Sequence, residues 1–294
     1  MTDFEVWPGP MEGVGSNEFV KAASLLQLTS HWMTPFIRIT DSLPGINKMV
    51  KNIRSYLGSG LPVTVQLMGE NPELLGQCGR IISSKFPSVT GINLNCGCPS
   101  NRVISHNAGG GMLKTPENIA GFCMKMAEYL PGKKLSVKIR SGFADPSDME
   151  IFLPALADCG CVSKIFFHYR TVKELYSSAV LPEREKRIAR AVELCRDIPL
   201  IANGDIVSAA DARNLVESTG CSGVMIARPW MKDPFLFRRF SGEAPPVHEG
   251  RELFFEALQK NNVSGGALIE MAKMLWGVES ERFRKIISKE MIEK

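Results

Sequence analysis

Several things are missing from this 294-residue chain, and each absence removes a class of function. No stretch approaches the roughly 20 consecutive apolar residues that a membrane-spanning helix needs. The opening Met1-Thr2-Asp3-Phe4-Glu5 carries two acids and lacks the basic, apolar, small order of a secretion signal, so a cytoplasmic location is expected. Among the eight cysteines no two Cys-x-x-Cys pairs stand at zinc spacing, and His31, His106 and His248 show no ligand spacing. No metal site is expected. With no secretion signal and a chain of this length, a disulfide framework is not expected either, and most of the thiols read as small buried apolar groups in a reducing compartment. One-sided charge is absent too. Lys plus Arg is 35 and Asp plus Glu is 31, giving +4 and a pI near 8.6, which permits contact with a polyanion without demanding it. The densest basic stretch, Arg184-Glu185-Lys186-Arg187-Ile188-Ala189-Arg190, carries acids and reads as a solvated helix face. Gly and Pro follow no fixed period, which excludes fibrous repeats.

What is present is an alternation. Apolar residues make up 44% and charged residues 22%, as in ordinary globular proteins. Eight short apolar runs occur at 4–7, 32–39, 62–68, 91–95, 135–139, 164–168, 200–202 and 223–226. Most are apolar enough to be buried on both faces, as parallel strands are. Helix-like stretches separate them. The stretch 72–85 has apolar residues at Leu74, Leu75, Cys78, Ile81 and Ile82, and Thr115-Pro116-Glu117 places a proline at the first position of another helix. Strand and helix alternating eight times predict a (β/α)8 TIM barrel over 1–240. A doubly wound sheet would carry a dinucleotide-binding glycine fingerprint after its first strand. Pro8-Gly9-Pro10-Met11-Glu12-Gly13-Val14-Gly15 stands there instead, with two prolines. Ser241-Gly242-Glu243-Ala244-Pro245-Pro246 reads as a linker, and 247–294 as a short helical domain with candidate helices at 251–259, 267–276 and 279–292.

Chemistry in such barrels gathers where the strands end. Polar groups finish almost every predicted strand: Glu12, Arg38, Gln66, Asn95, Lys138 with Arg140, His168, Asn203-Gly204-Asp205, and Ala227-Arg228. Taken singly, each fits a solvated strand end; together they converge on one rim. The segments after strands 7 and 8 are where barrels commonly hold phosphate on backbone N–H groups. There Gly204 permits close approach and Arg228 adds a charged fork. Lys138 is a fixed cation suited to an electron-rich anionic ring such as a reduced flavin. Gln66 and Asn95 can hydrogen-bond ring edges. Cys98 before Pro99 reads either as a thiol facing a ligand, able to act as proton donor, or as a buried structural thiol. Alternation puts Cys96 on the other side. His168 reads as a phosphate or ring contact or as a core histidine. The cluster Ala108-Gly109-Gly110-Gly111-Met112 reads either as a surface for a flat substrate, as a lid, or as a plain connection into the next helix.

These residues resemble the dihydrouridine synthase family, flavoenzymes that reduce uridine in tRNA. The likeness runs from about Pro10 to Phe237. Its most specific parts are Pro10-Met11-Glu12-Gly13, Asn95-Cys96-Gly97-Cys98-Pro99-Ser100, Gly109-Gly110-Gly111-Met112-Leu113, His168-Tyr169-Arg170-Thr171, Ala202-Asn203-Gly204-Asp205-Ile206 and Ile226-Ala227-Arg228. The Asn-Cys-Gly-Cys-Pro-Ser run and the triple glycine look most like the bacterial C-type branch, which acts on the D-loop. The resemblance implies a non-covalent FMN reduced by NADPH, hydride transfer to uracil C6 and protonation of C5 by a cysteine, matched by Cys98. It implies cofactor contacts at Pro10, Met11, Glu12, Gln66 and Lys138, and at His168, Asn203, Gly204, Asp205, Ala227 and Arg228 around the phosphate. Arg38, Asn95, Arg102 and Arg140 are expected near the nucleotide. The expected partner is tRNA, with no membrane and no partner protein implied.

Some positions depart from the family pattern. Ala227 and Tyr169 stand where glycines are usual, 176–184 lacks a frequent tryptophan, and the C-terminal part is shorter than the family's helical RNA-binding domain. Two other readings compete: an FMN barrel reductase of a free small pyrimidine, and a non-catalytic RNA-binding relative that kept the barrel.

Overall fold

The structure, a computed structural model, describes residues 3–10, 17–261, 263 and 265–292. Met11 and Glu12, both expected at the site, lie outside the described residues. The strands are β1 (Glu5–Pro8), β2 (Trp32–Met33), β3 (Ile37–Arg38), β4 (Val63–Met68), β5 (Val89–Cys96), β6 (Lys134–Arg140), β7 (Val162–His168), β8 (Leu200–Asn203) and β9 (Gly223–Ile226). All pair in parallel, in the order β1-β9-β8-β7-β6-β5-β4-β2, with β3 also on β4. The result is the expected barrel, nearly closed; among the described residues no ladder joins β1 to β2.

The predicted run 32–39 is a broken strand. Pro35 has no N–H to give the ladder. Thr34 covers the break: its amide donates to the Thr64 carbonyl at 3.0 Å and its hydroxyl accepts the Gln66 amide at 3.1 Å.

The helices are α1 (Asn17–Leu25), α2 (Pro72–Lys85), α3 (Ile119–Ala127), α4 (Met149–Asp158), α5 (Arg184–Cys195), α6 (Ala209–Thr219), α7 (Arg228–Lys232), α8 (Val247–Lys260), α9 (Gly265–Trp276) and α10 (Glu281–Ile292). Their ends follow local chemistry. The Asn71 side chain accepts the Leu74 amide ahead of Pro72, and Ser208 accepts the Asp211 amide. Gly220 ends α6 in the left-handed conformation, φ +70°. No helix among the described residues is long and apolar enough to cross a membrane. In α5, Arg184, Arg187 and Arg190 are ion-paired to Asp211, Glu174 and Glu150, so this stretch is no free basic patch.

Alternation along the strands sorts side chains into two layers. Val65, Leu67, Ile92, Leu94, Cys96, Val137, Ile139, Ile165 and Phe167 belong to the main core beneath the helices. Trp7, Met33, Phe166, Ile201 and Met225 form a separate apolar cluster. Beside it Lys164 pairs with Glu5 and lies 4.8 Å from the Trp7 ring. This apolar cluster shares the barrel interior with the buried polar side chains of Gln66, Asn93 and Ser136.

The C-terminal helices dock on the barrel through aromatic rings. Phe254 of α8 lies 5.1 Å from Phe19 of α1, which lies 5.1 Å from Trp230 of α7. Gly250 makes the close approach possible: a Cβ there would sit 2.9 Å from the Phe235 ring.

Candidate active site

A cavity of about 1180 Å³ opens at the carboxyl ends of the strands. That exceeds the roughly 300–1,000 Å³ of ordinary small-molecule pockets and leaves room for a planar cofactor with a second planar partner. Pro10, Gln66, Asn95, Cys98, Lys138, Arg140, His168, Asn203, Gly204, Asp205, Ala227 and Arg228 all line it. Arg38 on β3 and Arg102, exposed on the short turn Asn101–Ile104, do not.

Cys98 sits on the wall at the end of a relay of amides. Asn93 donates to the Ser136 hydroxyl at 2.9 Å, Gln66 donates to the Asn93 carbonyl at 2.8 Å, and Asn95 donates to the Gln66 carbonyl at 2.8 Å. The Asn95 carbonyl then accepts the amides of Gly97 and Cys98, each at 3.0 Å. Asn95 therefore fixes the turn that carries Cys98, and most of the hydrogen-bonding capacity of Gln66 and Asn95 is used inside the protein. On its other side the Cys98 carbonyl accepts the Gly110 amide at 3.0 Å. A Cβ on Gly110 would fall 2.8 Å from that carbonyl oxygen, and one on Gly109 would fall 3.1 Å from the Cys98 Cβ. The triple glycine is thus a buried seat under the cysteine. The expectation of a lid or a substrate surface is corrected: the backbone of Cys98 occupies the space a lid would need. Cys96, one strand position from Asn95, is fully buried against Met112 on the helix side.

Cationic groups of the adjacent strand β6 stand beside this thiol. Lys138 makes no hydrogen bond or ion pair among the described residues, and burial, helped by Arg140, lowers its pKa to about 8. Arg140 is 3% exposed and serves as a tie. Its Nε donates to the Gly97 carbonyl at 3.0 Å, and its Nη1 donates to Thr171 and Leu175 carbonyls at 2.9 Å each. Burial, then Arg140, Lys138, Arg170 and Arg228, push the His168 pKa well below its usual value, so the ring is neutral. Its Nδ1 accepts the Arg170 amide at 3.2 Å, which assigns the proton to Nε2. His168 is therefore a neutral donor at the cavity wall.

The ends of β8 and β9 form the remaining wall. Asn203 is held by its side-chain donation to the Met225 carbonyl at 2.8 Å. Gly204, at φ +115°, lies flat against Tyr169, where a Cβ would come within 2.8 Å of the ring. Asp205 accepts from the Tyr169 hydroxyl at 2.5 Å, pairs with the buried Arg170, and lies 3.7 Å from the exposed Arg228. Burial pushes this carboxyl up, but Tyr169 and the two arginines outweigh it and hold it below the ordinary range. Tyr169 thus buttresses the turn from behind. The Ala227 methyl faces β1: a Cβ on Gly9 would meet it at 2.7 Å, so Gly9 makes the room that Ala227 fills.

Two contributions escape the sequence reading. Tyr176 lines the cavity, half-exposed, with the Arg228 guanidinium 4.6 Å and that of Arg140 5.4 Å from its ring. Arg251 of α8 and Met274 of α9 also line the cavity. Neither stands in a strand-end motif; the only signal for Tyr176 was its place shortly after His168-Tyr169-Arg170-Thr171.

As a fit test for a flavin nucleotide, the wall offers an unpaired lysine cation, a neutral imidazole donor, glycines at Gly9 and Gly204, and an exposed arginine beside the last turn. These match the needs of a ring, a linker and a phosphate.

Known proteins resemble this chain over most of its length. The family model described as dihydrouridine synthase (Dus) matches residues 8–267. A tRNA-dihydrouridine(16) synthase of Ralstonia nicotianae is 32% identical over 242 residues, 80% of this chain and 72% of the relative. One of Haemophilus influenzae is 32% identical over 277 residues, 90% of this chain and 86% of the relative. A solved structure of a variant of NCR from Zymomonas mobilis superposes with a TM-score of 0.54 at 16% identity, covering 82% of this chain and 87% of that one, a likeness of fold alone.

Proposed function

The chain belongs to the dihydrouridine synthase family, and from that premise we propose that it reduces the C5–C6 double bond of a uridine in tRNA, with Cys98 as the proton donor to C5. The observation that carries this reading is the placement of Cys98 on the cavity wall, clamped by Asn95 and Gly110 and beside Lys138. FMN held by Pro10, Gln66, Lys138, His168 and the Asn203–Asp205 and Ala227–Arg228 turns, with NADPH as reductant, supplies the hydride for C6 when bound.

The protein's own residues do the rest. Cys98 presents its thiol next to the position where C5 must sit. Lys138 stabilises negative charge that develops beside it. The Nε2–H of His168 donates to a phosphate or ring oxygen, and Arg228 with the backbone at Gly204 neutralises phosphate. Arg140 holds the Cys98 turn against the loop after β7. A uracil must leave its stack to enter, at a cost of about a few kcal/mol. Contacts with a flat ring and with the cavity lip at Tyr176 offset that. Arg38 and Arg102 lie outside the cavity and suit the RNA backbone. Residues 247–294 then serve as a short RNA-gripping unit. The wall that α8 and α9 add favours a polynucleotide over a free pyrimidine. Relatives named for position 16 point to a D-loop uridine, and a cytoplasmic location follows from the substrate.

Replacing the donor tests the assignment. Cys98→Ala is expected to keep flavin binding and NADPH oxidation and to lower single-turnover formation of dihydrouridine by about 10²–10⁴-fold. Dihydrouridine formed at the wild-type rate would remove Cys98 from the mechanism.

A further inference from the structure

Away from the cavity, two thiols meet where α4 ends and β7 begins. Cys159 and Cys161 flank Gly160, and their sulfurs lie 3.4 Å apart. Both are partly exposed, and neither lines the cavity, whose thiol is Cys98. The strand that separates them from His168 runs seven residues, about 20 Å. A disulfide needs sulfurs about 2.05 Å apart, so the pair must close by little more than an ångström. Gly160 is the residue that can give way. It is left-handed, φ +68°, and the space where its Cβ would stand is open.

We propose that Cys159-Gly160-Cys161 is a redox-active dithiol that small disulfides convert reversibly to an intramolecular disulfide. In the first step the Cys159 thiolate attacks one sulfur of the small disulfide, breaking its S–S bond, forming a mixed disulfide and releasing one thiolate. In the second, the Cys161 thiolate attacks the Cys159 sulfur, forming the Cys159–Cys161 bond and releasing the second thiolate. The two protein protons end on the two released thiols. The protein is oxidised by two electrons and the small disulfide reduced by two.

The order of attack follows from the surroundings. Burial, then the hydrogen bond with Cys159, push the Cys161 thiol up to about 12, so it keeps its proton during the first step and gives it up to the small thiolate released there before it attacks the Cys159 sulfur. The Cys159 thiol donates to the Leu156 carbonyl at 3.1 Å. Cys123, the nearby thiol of α3, is fully buried and pushed well up by burial and by its thiol neighbours, so it is not the resolving partner.

Tryptic cleavage after Arg140 and Lys164 yields a peptide, 141–164, that holds both thiols and no other cysteine. The reduced full-length protein is incubated with glutathione disulfide, denatured, alkylated, digested and weighed. The expected peptide is two hydrogens lighter, carries no alkyl group, and returns to the doubly alkylated form after reduction. Cys159→Ser should leave Cys161 open to alkylation. Full double alkylation after exposure, a lasting glutathione adduct on either thiol, or a bond to Cys123 would each overturn the proposal.

Discussion

Asn95 and Lys138 reach the same cavity wall from adjacent strands, yet they do different work, and the difference lies in their partners. Asn95 is enclosed by Gln66 and by the amides of Gly97 and Cys98, so it positions the thiol. Lys138 has no such partner among the described residues and carries its charge toward the cavity. The residue types at the strand ends were legible in the sequence; the opposite facing of Cys96 and Cys98 was not, since two residues apart on one strand share a face, and they diverge because β5 ends at Cys96 and Asn95 holds Cys98 on the turn beyond. Which amides are already engaged was not legible, because the relay runs across three strands, β4, β5 and β6. The lysine gives a pH test. Its folded pKa, about 8, lies below its ordinary 10.5. Below pH 8 both folded and unfolded chains hold the proton and the burial penalty is fully present. Between 8 and 10.5 the unfolded chain holds a proton that the folded chain has released, so stability rises with pH. Without added flavin, wild-type stability to urea should therefore gain about 1–3 kcal/mol on Lys138→Met across that window. Parallel curves would show that Lys138 is not desolvated.

Among the elements, β1 and β9 meet at a seam with space for one methyl group. Gly9 donates to the Ile226 carbonyl at 2.8 Å, and its open Cα faces the Ala227 methyl. The alanine stands where the family pattern usually has glycine, and the seam accommodates it, since the methyl is turned to a glycine on the neighbouring strand. No single-strand motif encodes that pairing. Gly9→Ala is expected to destabilise the protein by about 1–3 kcal/mol through overpacking. Adding Ala227→Gly should recover part of the loss, because the 2.7 Å contact goes while those at 3.2 and 3.3 Å to Ala227 Cα and the Ile226 carbonyl stay. Urea unfolding of the two single variants and the double variant measures the coupling; strict additivity would contradict the shared seam. The triple glycine shows the same limit on reading. Its composition suggested mobility, and burial under the Cys98 carbonyl makes it a fixed support.

For the molecule as a whole, the eightfold alternation was enough to give the barrel, because parallel strands buried on both faces leave continuous apolar runs. Position 32–39 was the exception, broken where Pro35 withholds a donor and Thr34 covers the gap. The C-terminal helices were visible as amphipathic segments. Their contribution of Arg251 and Met274 to the cavity depends on how Phe254 docks against Phe19, which is a matter of tertiary packing. One cavity bounded by both barrel and helices supports a single claim: a polynucleotide base enters beside Cys98 and is reduced there. Single-turnover reaction of the NADPH-reduced protein with unmodified tRNA in the absence of oxygen tests it most directly. The expected result is flavin reoxidation by the tRNA and dihydrouridine mapped to one D-loop position. Flavin that stays reduced with tRNA but is reoxidised by a free pyrimidine would contradict it.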